Sequence, residues 1–375
     1  MGELGKIYNY GRIPFAFNAR CKTSMTVTKP KITWKSIVLP AVGLLAFFLY
    51  LYLFNVDIPE IIAIAQRTDF SVYFLAIVTV LFETFFFSLS WYFLVTFLSV
   101  KLSVVRAFMY VWYGIYIDII IPAESISGEI SRIYLVEREQ NGTSGKVVAS
   151  VVVQRLMGMA INIMSLLLGI SFLILQERVS GTLINLTLLL AAVITVFLVL
   201  LLLLCVKEKW TLKIVEGGIR LVEFLTRGHW KLTRIKDEVI KMTKMFHGSI
   251  KEYGHAPKSL SLSLVFNVLS WLFSFGVAYF VFLSMHVQVN WSVIVVTCSI
   301  VVAIQSIPLG VPFEAGLPEI TMASLFQWLS PNMTLDIAAT ATILIRIITV
   351  WLRFFIGFSV QQWLEIKAIT AKKMT

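Results

Sequence analysis

Long apolar blocks alternate with short charged segments along most of the chain. Most of these blocks reach the roughly 20 residues that an α-helix needs to cross the hydrocarbon core of a bilayer. The pattern therefore predicts an all-α protein that crosses a membrane several times. The blocks cover residues 34–54, 71–100, 104–122, 147–175, 182–206, 260–284, 292–310 and 338–363.

Lys and Arg residues are concentrated between the apolar blocks, where cytoplasmic loops of membrane proteins carry them. Residues 1–35 are basic, and residues 207–258 contain twelve Lys or Arg residues against six acids. We therefore expect the amino terminus, this central connector and the carboxyl terminus to lie on the cytoplasmic side of a cell membrane. The net charge of +11 is explained by this topology, so no nucleic-acid partner is expected.

Placing these three basic regions on one side requires an even number of crossings between them. The third and seventh blocks then cannot cross alone, so each is predicted to enter and leave on one face. The expected architecture has about six full transmembrane helices and two opposed re-entrant hairpins in an inverted repeat. The predicted regions are a basic segment at 1–35, a first membrane half at 36–206 with a hairpin at 104–139, a connector at 207–258, a second half at 259–365 with a hairpin at 292–329, and a tail at 366–375.

The connector has apolar residues at helical spacing among its many charges. This spacing predicts an amphipathic helix. Its simplest interpretation is a solvated linker helix that lies along the membrane surface.

The composition excludes several kinds of chemistry. The chain is 58% hydrophobic and only 14% charged, well outside the range of soluble domains. Its three cysteines and four histidines are scattered, without the spacing of metal ligands. We therefore expect no metal, no cofactor and no enzymatic activity.

The turns of the two predicted hairpins are similar in sequence. Residues 122–130 align without gaps to residues 312–320, and a proline, two glutamates and an isoleucine coincide. Arg155 follows Pro122 by 33 residues, and Arg346 follows Pro312 by 34. This correspondence favours an inverted-topology repeat, which many secondary transporters use to build a binding site near the bilayer midplane.

Charged and polar residues near the hairpins are the candidate site. A charge in the apolar layer costs about 2.5–3.5 kcal/mol on insertion scales, so each one needs a reason. Helix starts and arginine side chains suit phosphate groups. The candidates for binding an anion or a lipid headgroup are Arg155, Arg346, Ser125, Ser127, Gly128, Arg132 and Gly316.

Six acidic residues are candidates for ion coupling or charge pairing. They are Glu124, Glu129, Glu314, Glu319, Glu83 and Asp118, and the predicted turns are marked by Pro122, Pro308 and Pro312. The alternative is structural: Glu129 pairs with Arg155 and Glu319 pairs with Arg346, which would attach each hairpin to its neighbouring helix. The two interpretations are compatible.

At these turns the sequence resembles the flippase-like family that includes the transmembrane region of lysylphosphatidylglycerol synthases. The residues that carry the resemblance are Pro122, Gly128-Glu129, Arg132 and Gln154-Arg155 in the first motif, and Ile307-Pro308, Pro312 and Glu319 in the second. Two departures are Gln154, where the family has glutamate, and Phe313-Glu314, where it has a glycine pair. The resemblance implies a membrane protein that moves phospholipids or polyprenyl-phosphate lipids between leaflets, often beside a lipid-modifying enzyme or glycosyltransferase.

Three hypotheses follow for the function. The first is a translocase for an anionic lipid, with membrane lipids as its partners. The second is an accessory subunit without catalysis that serves a lipid-modifying or glycosylation enzyme. The third is a secondary transporter of a small soluble anion.

Overall fold

The computed structural model describes residues 58–121, 126–176, 181–225, 233–305, 316–331 and 333–373, together with Leu45, Leu49 and Tyr52. In this part of the chain the secondary structure is helical throughout, as predicted. The helices are α1 (Ile58–Gln66), α2 (Phe70–Phe97), α3 (Val104–Ile120), α4 (Ile126–Glu139), α5 (Ser144–Leu175), α6 (Gly181–Val206), α7 (Glu208–Leu225), α8 (Thr233–Tyr253), α9 (Pro257–Ser284), α10 (Trp291–Gln305), α11 (Leu317–Leu329), α12 (Leu335–Arg346), a π-helical turn (Ile347–Leu352) and α13 (Arg353–Lys373).

Five helical stretches are long and apolar enough to cross a membrane. They are α2, α5, Ile184–Val206 within α6, α9, and the continuous stretch Leu335–Ile366 through α12 and α13. The predicted sixth crossing, in residues 34–54, lies outside the described residues apart from three isolated positions. The architecture is that of an all-α, multi-pass membrane protein, which confirms the predicted fold class.

Helices α2 and α9 are the spans that precede the hairpin in each half, and they pack along their length in opposite directions. The Asp69 amide donates to the Ser284 carbonyl over 2.8 Å at one end, and the Ser259 hydroxyl donates to the Phe93 carbonyl over 2.6 Å at the other. Between them, the Ser90 and Ser263 hydroxyls are 2.9 Å apart. Equivalent helices that run antiparallel give the two halves opposite orientations, as an inverted repeat requires.

Each predicted hairpin is a pair of packed helices, α3 with α4 and α10 with α11. In the first pair the backbones approach closely, because a Cβ added to Gly128 would lie 2.5 Å from the Gly114 carbonyl oxygen. In the second, α11 begins at Gly316, whose φ of 102° favours glycine. The turn residues Pro122, Pro308 and Pro312 lie outside the described residues.

The hairpins are exchanged between the halves. The first arm of each hairpin packs against the span that follows the hairpin of the other half, α3 on α13 and α10 on α5. A glycine lies in each of these two contacts. A Cβ at Gly169 would lie 2.7 Å from Val296 Cγ2, and a Cβ at Gly357 would lie 2.6 Å from Tyr116 Cβ. These two residues therefore let the halves interlock.

Alanine at Gly169 or Gly357 is expected to destabilise the protein by about 1–3 kcal/mol, the usual cost of overpacking a core. Gly158 lies on α5 as well, but a Cβ there would meet nothing within 4 Å. Gly158→Ala is thus the matched control and should leave stability unchanged or raise it. Denaturation of the three variants in detergent measures this, and equal stability of Gly169→Ala and Gly158→Ala would contradict the packing described.

The connector forms two helices, and α8 is docked on the membrane half. The Tyr253 hydroxyl donates to the Leu94 carbonyl over 2.8 Å, and His247 Nδ1 lies 3.0 Å from the Cys205 carbonyl oxygen. Phe246 and Tyr253 are buried in the same contact. The interpretation of the connector as a solvated linker helix is therefore wrong for α8, because its aromatic residues pack against the ends of the spans.

Candidate functional site

A buried ion pair joins the second hairpin to the next span. Arg346 at the end of α12 donates from Nε to Glu319 Oε1 over 2.6 Å, and both side chains are 10% exposed. The second oxygen of Glu319 accepts the Gly316 amide over 2.6 Å, which caps the start of α11. One carboxylate therefore holds both an arginine and a helix start.

The first half contains the equivalent ion pair. Arg155 Nη1 on α5 lies 3.2 Å from Glu129 Oε2 on α4. These side chains are 30% and 17% exposed, so this pair is more accessible than its counterpart. The Glu129–Arg155 and Glu319–Arg346 pairs that the sequence predicted are thus both present.

A third ion pair links α2 to α13. Arg353 donates from Nη2 to Glu83 Oε2, and the Glu83 carbonyl accepts the Ser270 hydroxyl over 3.0 Å. Glu83 is near the middle of α2, opposite the middle of α9, where the rings of Phe82 and Phe273 are 5.5 Å apart. The pair therefore lies close to the axis that relates the two halves.

Glu83 was among the predicted site residues, but Arg353 was not. A signal was available in the sequence, because Arg353 follows Arg346 by seven residues, about two turns of a regular α-helix. In the structure the π-helical turn Ile347–Leu352 lies between the two arginines and shifts this spacing. Asn162 follows Arg155 by the same spacing in the first half. Among the described residues, no hydrogen-bond partner reaches the buried Arg353 Nε or Asn162 Oδ1.

A carboxylate occupies the start of α4 in the first hairpin. Asp118 Oδ1 on α3 accepts the Ser127 hydroxyl and the Gly128 amide, both over 2.6 Å. The structure therefore brings three of the predicted residues together. In both hairpins a carboxylate of the chain satisfies the helix start at which a phosphate was expected.

Arg132 occupies an aromatic site between α2 and α5. It is buried, donates to Gln154 Oε1 over 3.2 Å, and lies 5.0 Å from the ring of Trp91 and 5.6 Å from that of Phe87. Gln154 in turn donates to the Phe87 carbonyl over 2.8 Å. This arrangement holds Arg132 by cation–π contacts.

An apolar groove of about 300 Å³ opens between α3 and α13. It begins one helical turn beyond Arg353, because Ile356 forms part of its wall. Such a surface suits an acyl chain more than a polar ligand. The groove is lined by Met109, Ile356, Ser359, Val360 and Trp363.

The remaining predicted site residues, Glu124, Ser125 and Glu314, lie outside the described residues. Within the described ranges, no group of three or more His, Cys, Asp or Glu side chains is placed to hold a metal ion.

Comparison with known protein families identifies the family of this chain. Residues 37–357 match the model of the lysylphosphatidylglycerol synthase TM region. The chain belongs to this family. The match contains both halves of the repeat and all three ion pairs, so the site described above lies within the family's membrane region. The family is named after the membrane region of a lipid synthase, which connects this chain with membrane lipids.

A curated relative of this family member is a UPF0104 membrane protein of Pyrococcus horikoshii. It is 21% identical over 306 residues, which cover 80% of this chain and 89% of the relative. No solved structure matches the chain.

Proposed function

We propose that the protein is a translocase that moves an anionic phospholipid or polyprenyl-phosphate lipid between membrane leaflets. The observation that carries the proposal is the set of three Glu–Arg pairs, because the arginine of each pair lies in a helical stretch that is long and apolar enough to span a membrane. Ion pairs at such depth are costly and mark substrate or ion pathways. Membership of a lipid-related membrane family supports the same conclusion.

In this proposal the headgroup phosphate replaces a carboxylate as the partner of an arginine. Arg155 and Arg346 are paired with Glu129 and Glu319, and two oxygens of a phosphate can accept hydrogen bonds from a guanidinium in place of a carboxylate. A phosphate that takes the place of a carboxylate frees that carboxylate to move. The exposure of Arg155 makes the first pair the entry point.

The helix starts can take part in the same exchange. Asp118 and Glu319 occupy the amide donors at the starts of α4 and α11, and these donors also suit a phosphate. The acyl or isoprenoid tail stays in lipid or along the groove near Ile356. The mechanism needs no catalytic residue and no cofactor.

A lipid-flux assay in proteoliposomes tests the proposal. Fluorescent phosphatidylglycerol, phosphatidylcholine and a polyprenyl phosphate are placed in one leaflet, and the rate at which each reaches the other leaflet is measured. We expect purified wild-type protein to accelerate the anionic lipids over protein-free vesicles, and Arg155→Ala to lose most of that acceleration. The variant Arg106→Ala, in an exposed ion pair, is the control and should retain it.

The other two hypotheses predict different results in this assay. A transporter of soluble anions would move free glycerol phosphate and would not accelerate the tailed lipids. An accessory subunit would accelerate none of the lipids and would co-purify with a lipid-modifying enzyme or glycosyltransferase. Either result would contradict the translocase proposal.

A further inference from the structure

Exposed apolar side chains continue from the end of α6 into α7. Val206, Trp210 and Ile214 are 68%, 52% and 60% exposed. Trp210 and Ile214 are four residues apart and so share one side of α7, and Val206 is the last residue of α6, just before the junction at Lys207. We call these three side chains the stripe. Beyond them a Cβ at Gly217 or Gly218 would meet nothing within 4 Å, so α7 is also open at these two positions.

Among the side chains of α7 that the structure describes, those of residues 208–220, the exposed charges are basic. Lys209, Lys213 and Arg220 are exposed on α7, whereas Glu208 and Glu216 are partly buried. A helix with an aromatic and aliphatic stripe flanked by Lys and Arg is typical of segments that lie in the headgroup layer of anionic membranes.

The position of α7 is set by contacts with the end of α6 and with α8. The Thr211 hydroxyl donates to the Leu204 carbonyl over 2.7 Å, which ties the first turn of α7 to the last turns of α6. Helix α8, which packs on α7, reaches the same level through His247, 3.0 Å from the Cys205 carbonyl. The stripe therefore begins where a predicted span ends and is held there from two sides.

We propose that α7 binds the anionic lipid surface on the membrane face where α6 ends. Trp210 and Ile214 enter the headgroup layer, and Lys209, Lys213 and Arg220 contact lipid phosphates. A lipid surface fits better than a protein partner, because the stripe is narrow, begins at the end of α6, and is flanked over residues 208–220 by exposed charges that are all basic. This surface is separate from the three ion pairs, so the proposal does not depend on lipid translocation.

Spin-label depth measurements on the full-length protein test the proposal. A nitroxide is attached at Trp210→Cys in a variant whose native cysteines are replaced by serine. Collision with two neutral relaxation agents, oxygen and nickel ethylenediaminediacetate, is compared in phosphatidylcholine vesicles with and without added phosphatidylglycerol. Both leaflets have the same composition, so the orientation of the protein does not affect the result. A label at Lys236→Cys, exposed on α8, is the control.

We expect phosphatidylglycerol to shift the label at position 210 towards lipid and to leave the label at 236 in water. Neutralising Lys209, Lys213 and Arg220 with glutamine should reverse the shift. Each basic residue removed should lower the ratio of lipid-bound to unbound α7 by about fivefold. Gel filtration checks that this triple variant keeps its fold. A label at 210 that is equally wet in both vesicles, or equally shielded in both and insensitive to the neutralisation, would overturn the proposal.

Discussion

Replacing Arg346 by alanine is expected to lower the free energy of unfolding by about 3–5 kcal/mol. The substitution leaves Glu319 without its arginine in a site where its side chain is only 10% exposed. An unpaired buried carboxylate is costly because neither water nor a counter-charge compensates it. Chemical denaturation in detergent measures the loss.

The neutral double variant Arg346→Met/Glu319→Gln separates the lost ion pair from the lost side chain. It removes both charges while keeping similar volumes, so it should recover much of the stability. Arg106→Ala is the matched control, because the Arg106–Glu139 pair has a similar distance of 3.0 Å but side chains that are 50% and 37% exposed. That variant should lose no more than about 1 kcal/mol. Equal losses for Arg346→Ala and Arg106→Ala would contradict the assignment of a buried pair.

Replacing Glu83 by glutamine is expected to slow lipid translocation by about tenfold or more while the protein stays folded. The change keeps the size of the side chain but removes the charge that competes with an anionic headgroup for Arg353. A headgroup that binds more tightly leaves more slowly, and each 1.4 kcal/mol in that balance corresponds to a factor of ten. Initial rates in proteoliposomes measure the change, and the same lipid should bind the variant more tightly than the wild type.

Two further variants identify the charge as the cause. Glu83→Asp keeps a carboxylate and should restore part of the rate. Glu139→Gln removes a carboxylate from the exposed pair with Arg106 and should have no effect. If Glu83→Gln transports at the wild-type rate, the pair close to the repeat axis is not part of the pathway.

The Glu129–Arg155 and Glu319–Arg346 pairs could be predicted from the sequence because the repeat presents nearly the same spacing twice. The proline and glutamate of each turn align without a gap, and the arginine follows at offsets that differ by one residue. The hairpins followed from the distribution of Lys and Arg, since the number of crossings between basic regions must be even. Both predictions used only the positions of residues along the chain.

The Glu83–Arg353 pair could not be predicted in the same way. Its members are 270 residues apart, on helices from different halves, and meet only because α13 is placed beside α2 by the exchanged hairpins. The role of Asp118 was missed for a related reason. The sequence predicted an unsatisfied helix start at the first hairpin. Its partner, Asp118, lies on the other arm of the hairpin and reaches this helix start because Gly114 and Gly128 let the two arms approach closely.

The docking of α8 could not be predicted from the sequence either. The periodicity of the connector identifies an apolar face, but it does not say what covers that face. The same pattern fits a helix on a lipid surface, a helix in water or a helix packed against the ends of other helices. Tyr253 and His247 decide the outcome through bonds to backbone carbonyls of α2 and α6. Such contacts depend on where two chain segments meet in space.

The proposed translocation site depends most on the opposite orientation of the two halves, and sided cysteine labelling tests this orientation directly. Arg67 and His255 are exposed just before the equivalent helices α2 and α9. In a variant without Cys21, Cys205 and Cys298, a cysteine at each position is treated with a membrane-impermeant thiol reagent, in intact cells and after lysis. If the two halves have opposite orientations, we expect Arg67→Cys to react in intact cells and His255→Cys to react only after lysis. Labelling of both positions from the same side would contradict the inverted repeat and the translocation site built on it.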